Sequence, residues 1–111
     1  LDVGCGDGSF LEALGVPGST GMDLSVAALR AVRARGFAAV RGTLDACPLR
    51  PASFSLVTAF HFLEHVHPIE PVLAAMRQLL RPGGEIVQDI RATGDEGLAK
   101  SARIRTVKQR V

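Results

Sequence analysis

The fold of this chain is decided by its first ten residues, LDVGCGDGSF (residues 1–10). The short strand expected at Leu1–Val3 runs into glycines at every second position, Gly4, Gly6 and Gly8. Glycines at that spacing let the backbone turn sharply and let a ligand approach the main chain. Because Leu1 already lies inside this motif, we expect the chain to begin partway through a strand and to be the ligand-binding core of a larger protein.

Composition indicates a globular protein of one domain. The chain has 111 residues, of which 47% are hydrophobic and 22% are charged, and this is enough for a packed core. No stretch approaches the ~20 continuous apolar residues of a membrane span, so no membrane partner is expected. Cys5 and Cys47 match neither zinc nor redox spacing and are expected to be small buried thiols in a reducing cytoplasm.

Strand and helix patterns alternate along the chain. We predict helices at Ser9–Leu14, Val26–Arg35 and Glu70–Leu80, with Ser25 as the N-cap of the second helix. The predicted strands are Leu1–Val3, Ser19–Asp23, Phe37–Gly42, Ser53–Phe60 and Glu85–Ile90. This alternation indicates an α/β fold, a doubly wound, mainly parallel sheet with helices on both faces. The carboxyl ends of its strands then share one edge, where ligands of such sheets bind.

The glycine spacing differs from that of dinucleotide-binding proteins. In the G-x-G-x-x-G fingerprint the third glycine comes one position later than Gly8 does here. In addition, Asp2 stands two residues before Gly4. A carboxylate there is a poor neighbour for a pyrophosphate and a good one for an ammonium group, so the spacing favours a cationic ligand without phosphate. An NAD(P)-binding module remains an alternative.

Two further carboxylates follow predicted strands. Asp23 ends the second strand, where it could accept hydrogen bonds from both hydroxyls of a ribose. Asp45 follows the third strand, where it could accept from the exocyclic amine of a purine. Both positions converge on the edge that carries the glycine turn.

Taken in order, these segments resemble class I S-adenosylmethionine-dependent methyltransferases. The segments Ser53–Val57 and Leu79–Gly84 also match the family, and the resemblance covers roughly residues 1–90. Within the family, the chain is most similar to the small-molecule methyltransferase type 11 branch, which includes quinone-biosynthesis enzymes. It implies S-adenosyl-L-methionine as cofactor, methyl transfer to a small-molecule oxygen, nitrogen or carbon, and a Rossmann-like sheet in the order 3-2-1-4-5. Relative to the family's seven-stranded fold, the chain is expected to be truncated.

The resemblance also assigns roles to individual residues. Asp2 would lie near the cofactor's ammonium, and Asp23 would bind the ribose. The other cofactor-binding positions that it implies are the backbone of Gly4, Cys5, Gly6 and Gly8 at the methionine end, Leu24 beside the adenine or ribose, Asp45 and Ala46 at the adenine, and Ala59 between cofactor and acceptor.

A histidine cluster follows the fourth strand. His61, Glu64 and His65 match the H-x-x-E-H pattern of one class of zinc peptidases. Such sites need a long helix, and Pro68 limits any helix here to about two turns, so no metal site is predicted and zinc hydrolysis stays an alternative. His61 and His65 are the candidate catalytic residues, as general bases near neutral pH. Alternatively, His65 packs at a helix start and His61 lines the pocket, while alignment of the reactants supplies much of the catalysis.

The last segment, residues 91–111, carries six basic and two acidic residues. We expect residues 1–90 to form the cofactor-binding core and this tail to be loosely ordered, as a short helix or without structure. It is too short and too polar to complete the sheet, which leaves a non-catalytic fragment as the main alternative function. Because the tail has no aromatic residue for stacking, a nucleic-acid partner is not expected.

Overall fold

The computed structural model describes residues 1–46, 48–60, 70–90 and 103–108. Its helices are α1 (Ser9–Leu14), α2 (Val26–Ala34) and α3 (Glu70–Leu79), with a 3₁₀ turn at Leu44–Ala46. Its strands are β1 (Asp2–Val3), β2 (Thr20–Asp23), β3 (Ala38–Arg41), β4 (Phe54–Ala59), β5 (Leu80–Ile90) and β6 (Arg103–Lys108). No helix in these ranges is long and apolar enough to cross a membrane.

The strands form one sheet in the order β3-β2-β1-β4-β5-β6. The first five strands in this order are parallel, with β1 in the centre, where Asp2 pairs with Gly21 on one side and with Thr58 on the other. The predicted order 3-2-1-4-5 is therefore confirmed. As in other parallel sheets, the carboxyl ends of β1, β2 and β3 open on a common edge.

Two core clusters lie beneath the helices. One contains Met76 and Leu79 of α3 together with Val57 and Ile86 of the sheet. The other contains Leu11 of α1 and the residues Cys5, Leu29 and Val32. Each fully buried side chain of this size stabilises the fold by about 1.5–3 kcal/mol. The two clusters confirm the doubly wound architecture, with α3 serving one core and α1 and α2 the other.

Local signals at α2 also match the structure. The hydroxyl of Ser25 accepts a hydrogen bond from the backbone N–H of Ala28 at 3.1 Å, as an N-cap does. After the helix, Gly36 adopts a left-handed conformation with φ 93°, which glycine accepts without strain. The cap therefore fixes the start of α2 two residues after Asp23, the last residue of β2.

The structure differs from the sequence prediction at the far side of the sheet. Residues 103–108, expected in a loosely ordered tail, form β6, which pairs antiparallel with Glu85–Ile90. An unpaired β5 would leave a row of backbone donors and acceptors without partners. The β-branched residues Ile104, Thr106 and Val107 suit a strand. Pairing with β5 therefore outweighs the polar composition that predicted a loose tail.

The start of β5 also differs from the prediction. The strand begins at Leu80 rather than at Glu85, and the register with β4 shifts between Phe54 and Leu56. A Cβ on Gly84 would lie 2.9 Å from Leu80 Cδ2 and 3.2 Å from Ser55 O. The Pro82-Gly83-Gly84 segment, which the predicted bounds left between a helix and a strand, is thus an irregularity inside the strand, because glycine permits this close backbone approach.

Candidate functional site

A cavity of about 230 Å³ opens where β1, β2 and β3 end. We call it the carboxyl-edge cavity; its walls are Val3, Gly4, Met22, Asp23, Leu24, Gly42, Thr43 and Leu44. Most of these side chains are apolar, and Asp23 supplies the carboxylate among them. The sequence predicted Gly4, Asp23 and Leu24 as site residues, and the structure brings these three together here.

The glycine turn beside this cavity is held by hydrogen bonds within the protein. Gly4 N and Cys5 N both donate to Met22 O, at 2.8 and 3.0 Å, and Gly8 N donates to Cys5 O at 3.2 Å. Gly6 N donates to the carboxylate of Asp23 at 3.0 Å. Since these four amides already have acceptors, they do not form the array of free N–H groups that a pyrophosphate needs.

Positive backbone angles explain why glycines occupy the turn. Gly4, Gly6 and Gly8 have φ of 72°, 56° and 87°, a region that other residues enter only with strain. Gly8 is also buried against α2, where a Cβ would lie 3.1 Å from Val32 Cγ2. The spacing therefore reflects the positive φ at all three positions and, at Gly8, the tight fit against α2.

Asp23 is oriented by two backbone amides. Its Oδ2 accepts from Gly6 N at 3.0 Å, and its Oδ1 accepts from Ser25 N at 2.9 Å. A carboxylate has about four lone-pair positions, so each oxygen keeps one for a further donor. Two neighbouring hydroxyl groups are the kind of donor pair that such an arrangement suits.

Asp2 lies behind the glycine turn rather than in the cavity wall. It is only 3% exposed, and its Oδ1 accepts from the hydroxyl of Thr58 at 2.7 Å. Burial raises the pKa of this carboxyl to about 6, although the hydrogen bond from Thr58 and the amino group of Leu1 act in the opposite direction. An ionised Asp2 is thus electrostatically costly unless a cation lies nearby.

The side chain of Cys5 belongs to the core. Burial, together with the nearby carboxylates of Asp23, Asp2 and Asp7, raises the pKa of its thiol to about 12. A Cβ on Gly21 would come within 2.7 Å of its sulfur, so the thiol packs directly on β2. The sulfur also donates to Gly6 O at 3.5 Å, and the three carboxylates give the turn a negative potential.

Asp45 and Ala46 lie in the exposed 3₁₀ turn, next to the cavity residue Leu44. The Thr43 hydroxyl donates to Asp45 and holds the pKa of that carboxyl below its usual range. Ala46 N donates to Thr43 O at 3.2 Å, so this amide is already used within the turn. Asp45 also lines a neighbouring cavity of about 280 Å³ that reaches α3.

The remaining predicted residues are placed as follows. Ala59 is fully buried in the core at the end of β4, and no cavity described above includes it. His61 and His65 lie outside the described residues, so their proposed role as bases stays a prediction. In the ranges that the structure covers, no cluster of three or more His, Cys, Asp or Glu could hold a metal ion.

Sequence reasoning missed part of the cavity wall. Val3 ends β1, and Gly42, Thr43 and Leu44 follow β3. The available signal was their position at the carboxyl ends of predicted strands, where side chains meet on one edge. Thr58, the partner of Asp2, carried no such signal because it becomes a neighbour only through sheet pairing.

Comparisons with known proteins agree with this geometry. A family model described as a methyltransferase domain matches residues 1–88. The ubiquinone biosynthesis O-methyltransferase of Idiomarina loihiensis is 36% identical over 95 residues, 78% of this chain and 39% of that protein. That of Thiobacillus denitrificans is 37% identical over 93 residues, 76% of this chain and 40% of that protein.

The chain is also similar to a methyltransferase of known structure. The crystal structure of an S-adenosylmethionine-dependent methyltransferase from Mesorhizobium loti aligns with a TM-score of 0.70 at 31% identity, over 81% of this chain and 45% of that one. The chain thus spans 39–40% of the length of the curated relatives named above. The match to the family model over residues 1–88 shows that the chain belongs to the S-adenosylmethionine-dependent methyltransferases, as a methyltransferase domain.

Proposed function

We propose that the carboxyl-edge cavity binds S-adenosylmethionine and that this domain takes part in methyl transfer to an oxygen of a small molecule. The observation that carries the proposal is Asp23, whose carboxylate is fixed by Gly6 N and Ser25 N while each oxygen keeps a lone pair for the ribose hydroxyls. The oxygen acceptor is proposed because the named relatives are O-methyltransferases.

The electrostatics of the glycine turn suit the methionine end of this cofactor. Besides burial, the carboxylates of Asp23, Asp2 and Asp7 raise the pKa of the Cys5 thiol, so these three groups lie close enough to the turn for their negative field to favour a positive charge there. A ligand that carries an ammonium and a sulfonium is attracted by such a field. A pyrophosphate would be repelled by it, and the turn's bonded amides would not offset that repulsion.

The apolar walls suit the adenine. Val3, Met22 and Leu44 surround the cavity beside Asp23, and Leu24 at its rim is 58% exposed. Covering Leu24 with a purine would remove apolar surface from water, at roughly 25 cal/mol per Å². We propose Asp45 as the partner of the adenine amine, on the strength of its place beside Leu44.

The chemistry needs a nucleophile in line with the transferable methyl group. The bound cofactor supplies a methyl group on a sulfonium, an intrinsically reactive donor. The chain's own residues orient that donor through Asp23 and the glycine turn, and such orientation accounts for a large part of the rate in reactions of this kind. His61 or His65 is proposed to accept the proton of the acceptor hydroxyl, and Ala59 is proposed to adjoin the reacting groups.

We also propose a domain organisation, a cellular location and a partner for this protein. We propose residues 1–90 as the cofactor-binding unit, and every residue that lines the carboxyl-edge cavity falls within this range, between Val3 and Leu44. We propose the cytoplasm as its location, where reducing conditions suit a free thiol such as that of Cys5. Its partner is a small-molecule acceptor, without a role for nucleic acid.

Calorimetric titration with S-adenosylhomocysteine tests this proposal. Asp23→Ala should weaken binding by about 1.5–3 kcal/mol, the value of hydrogen bonds to a charged group. Glu70→Ala is the matched control, because Glu70 is an exposed carboxylate at the start of α3. No binding by the folded wild-type chain, or equal binding by both variants, would contradict the proposal. Binding without methyl transfer to any acceptor in a screen would favour a non-catalytic, cofactor-binding domain.

A further inference from the structure

Arg35, the C-cap residue of α2, contacts the glycine turn at Asp7. Its Nε donates to the backbone oxygen of Asp7 at 2.8 Å. The guanidinium also pairs with the Asp7 carboxylate at 3.5 Å and with the carboxylate of Glu12 in α1. The Arg35 side chain is 29% exposed, about half as much as those of its two partners. One side chain therefore links α2, the turn and α1.

The part of the turn around Asp7 gains rigidity from such a link. Gly6 and Gly8, the neighbours of Asp7, both have positive φ, and glycine loses more conformational freedom on folding than any other residue. The hydrogen bonds to Met22 O and to the Asp23 carboxylate tie the first part of the turn to β2, and Gly8 N bonds to Cys5 O within the turn. At the start of α1, the N-cap residue Gly8 has no side chain to bond the first turn.

Asp7 connects this contact to the start of α1. Its Oδ1 accepts from Ser9 N at 3.0 Å and from the Ser9 hydroxyl at 2.8 Å, and so takes over the capping that Gly8 lacks. The stem of Arg35 packs on the next residue, since a Cβ on Gly8 would lie 3.2 Å from Arg35 Cδ. Arg35 thus fixes the backbone oxygen of Asp7, its carboxylate and the space around Gly8.

We propose that Arg35 is a positioning residue for the cofactor-binding turn. It does not line the carboxyl-edge cavity, and it acts by holding the Asp7–Gly8 segment so that Gly6 N stays in place to orient Asp23. This inference rests on the proposed function, because the turn matters for binding only if the cofactor binds there.

The sign of the effect separates positioning from simple charge. S-adenosylmethionine is a net cation, and S-adenosylhomocysteine lacks the sulfonium charge. If Arg35 acted only through its charge, its removal would strengthen binding of the cation and leave that of the neutral product unchanged. If it positions the turn, its removal weakens binding of both.

The experiment compares three variants by calorimetry with both ligands. Arg35→Gln should weaken the affinity for each roughly five- to tenfold, as expected for the loss of partly exposed charged hydrogen bonds. Arg30→Gln is the matched control: it removes the same charge from the same helix, at an exposed residue without a hydrogen bond or ion pair among the described residues. Arg35→Lys should restore only part of the affinity, because one ammonium cannot reproduce the guanidinium fork.

Hydrogen exchange of the backbone amides gives a readout that needs no ligand. In Arg35→Gln the amides of Gly8 and Ser9 should exchange faster, whereas those of β2 and β4 should not change. Equal ligand affinities for Arg35→Gln and Arg30→Gln with unchanged exchange at Ser9 would overturn the inference, as would stronger binding of the cation alone. If the wild type binds neither ligand, the proposed function fails, and the exchange comparison still decides whether Arg35 holds the turn. If Arg35→Gln does not fold, Arg35→Lys replaces it in the same affinity and exchange measurements.

Discussion

Replacing Asp2 with asparagine should remove a pH-dependent cost from the folded state. Asp2 is 3% exposed, and burial raises its pKa from 3.8 to about 6. This difference of about 2 pKa units is worth about 3 kcal/mol. Because the folded pKa is the higher one, the contribution to stability is fully present below pH 3.8, declines as the pH rises through about 6, and is absent at pH 7.

Urea unfolding of the wild type and of Asp2→Asn between pH 4 and pH 7.5 measures this cost. As the pH rises across that range, the free energy of unfolding of the variant should increase by up to about 3 kcal/mol relative to that of the wild type. Asp45→Asn is the control: Asp45 is exposed, and its pKa is held below the usual range by the Thr43 hydroxyl, so no such gain is expected. An Asp2 carboxyl that titrates at or below its ordinary pKa in carbon-13 spectra would refute the reasoning.

Two further predictions concern the turn and the helix that follows it. Gly8→Ala should cost about 1–3 kcal/mol of stability and weaken S-adenosylhomocysteine binding, because the new Cβ would meet Val32 and Arg35 at φ 87°. Gly36→Ala is the control, because φ there is 93° and an added Cβ would have nothing within 4 Å. It should show the backbone strain alone and keep its affinity. Equal loss of affinity in the two variants, measured by calorimetry, would contradict this account of Gly8. Ser25→Ala should lower the free energy of unfolding, measured in urea, by about 1 kcal/mol. Ligand affinity should stay intact, since Ser25 N still donates to Asp23. An unchanged free energy of unfolding would rule out the cap.

The sequence predicted those parts of the fold that depend on local signals. α1 occupies the predicted Ser9–Leu14, β2 ends at Asp23, and Ser25 caps α2, because glycine spacing, strand ends and capping residues act within a few positions of the chain. The alternation of strands and helices predicted a mainly parallel sheet, whereas the order of its five strands came from the resemblance to the methyltransferase family.

Features that depend on residues far apart in the chain could not be predicted from the sequence in this way. β6 exists because β5 offers it a pairing edge, and its own residues are mostly polar. Arg35 meets Asp7 across 28 positions, and Asp2 meets Thr58 across 56, so neither contact leaves a periodic signal. Ala46 shows the same limit at short range, because its amide is used by the 3₁₀ turn that the sequence pattern did not predict.

The most direct test of the central claim is a crystal structure of the domain with S-adenosylhomocysteine. The account predicts that the ribose hydroxyls donate to both oxygens of Asp23 at about 2.5–3.0 Å, while Gly6 N and Ser25 N keep their bonds to the same carboxylate. It also predicts the adenine between Met22 and Leu44. A nucleoside bound away from the carboxyl-edge cavity, or an Asp23 bonded only to the two backbone amides, would contradict it.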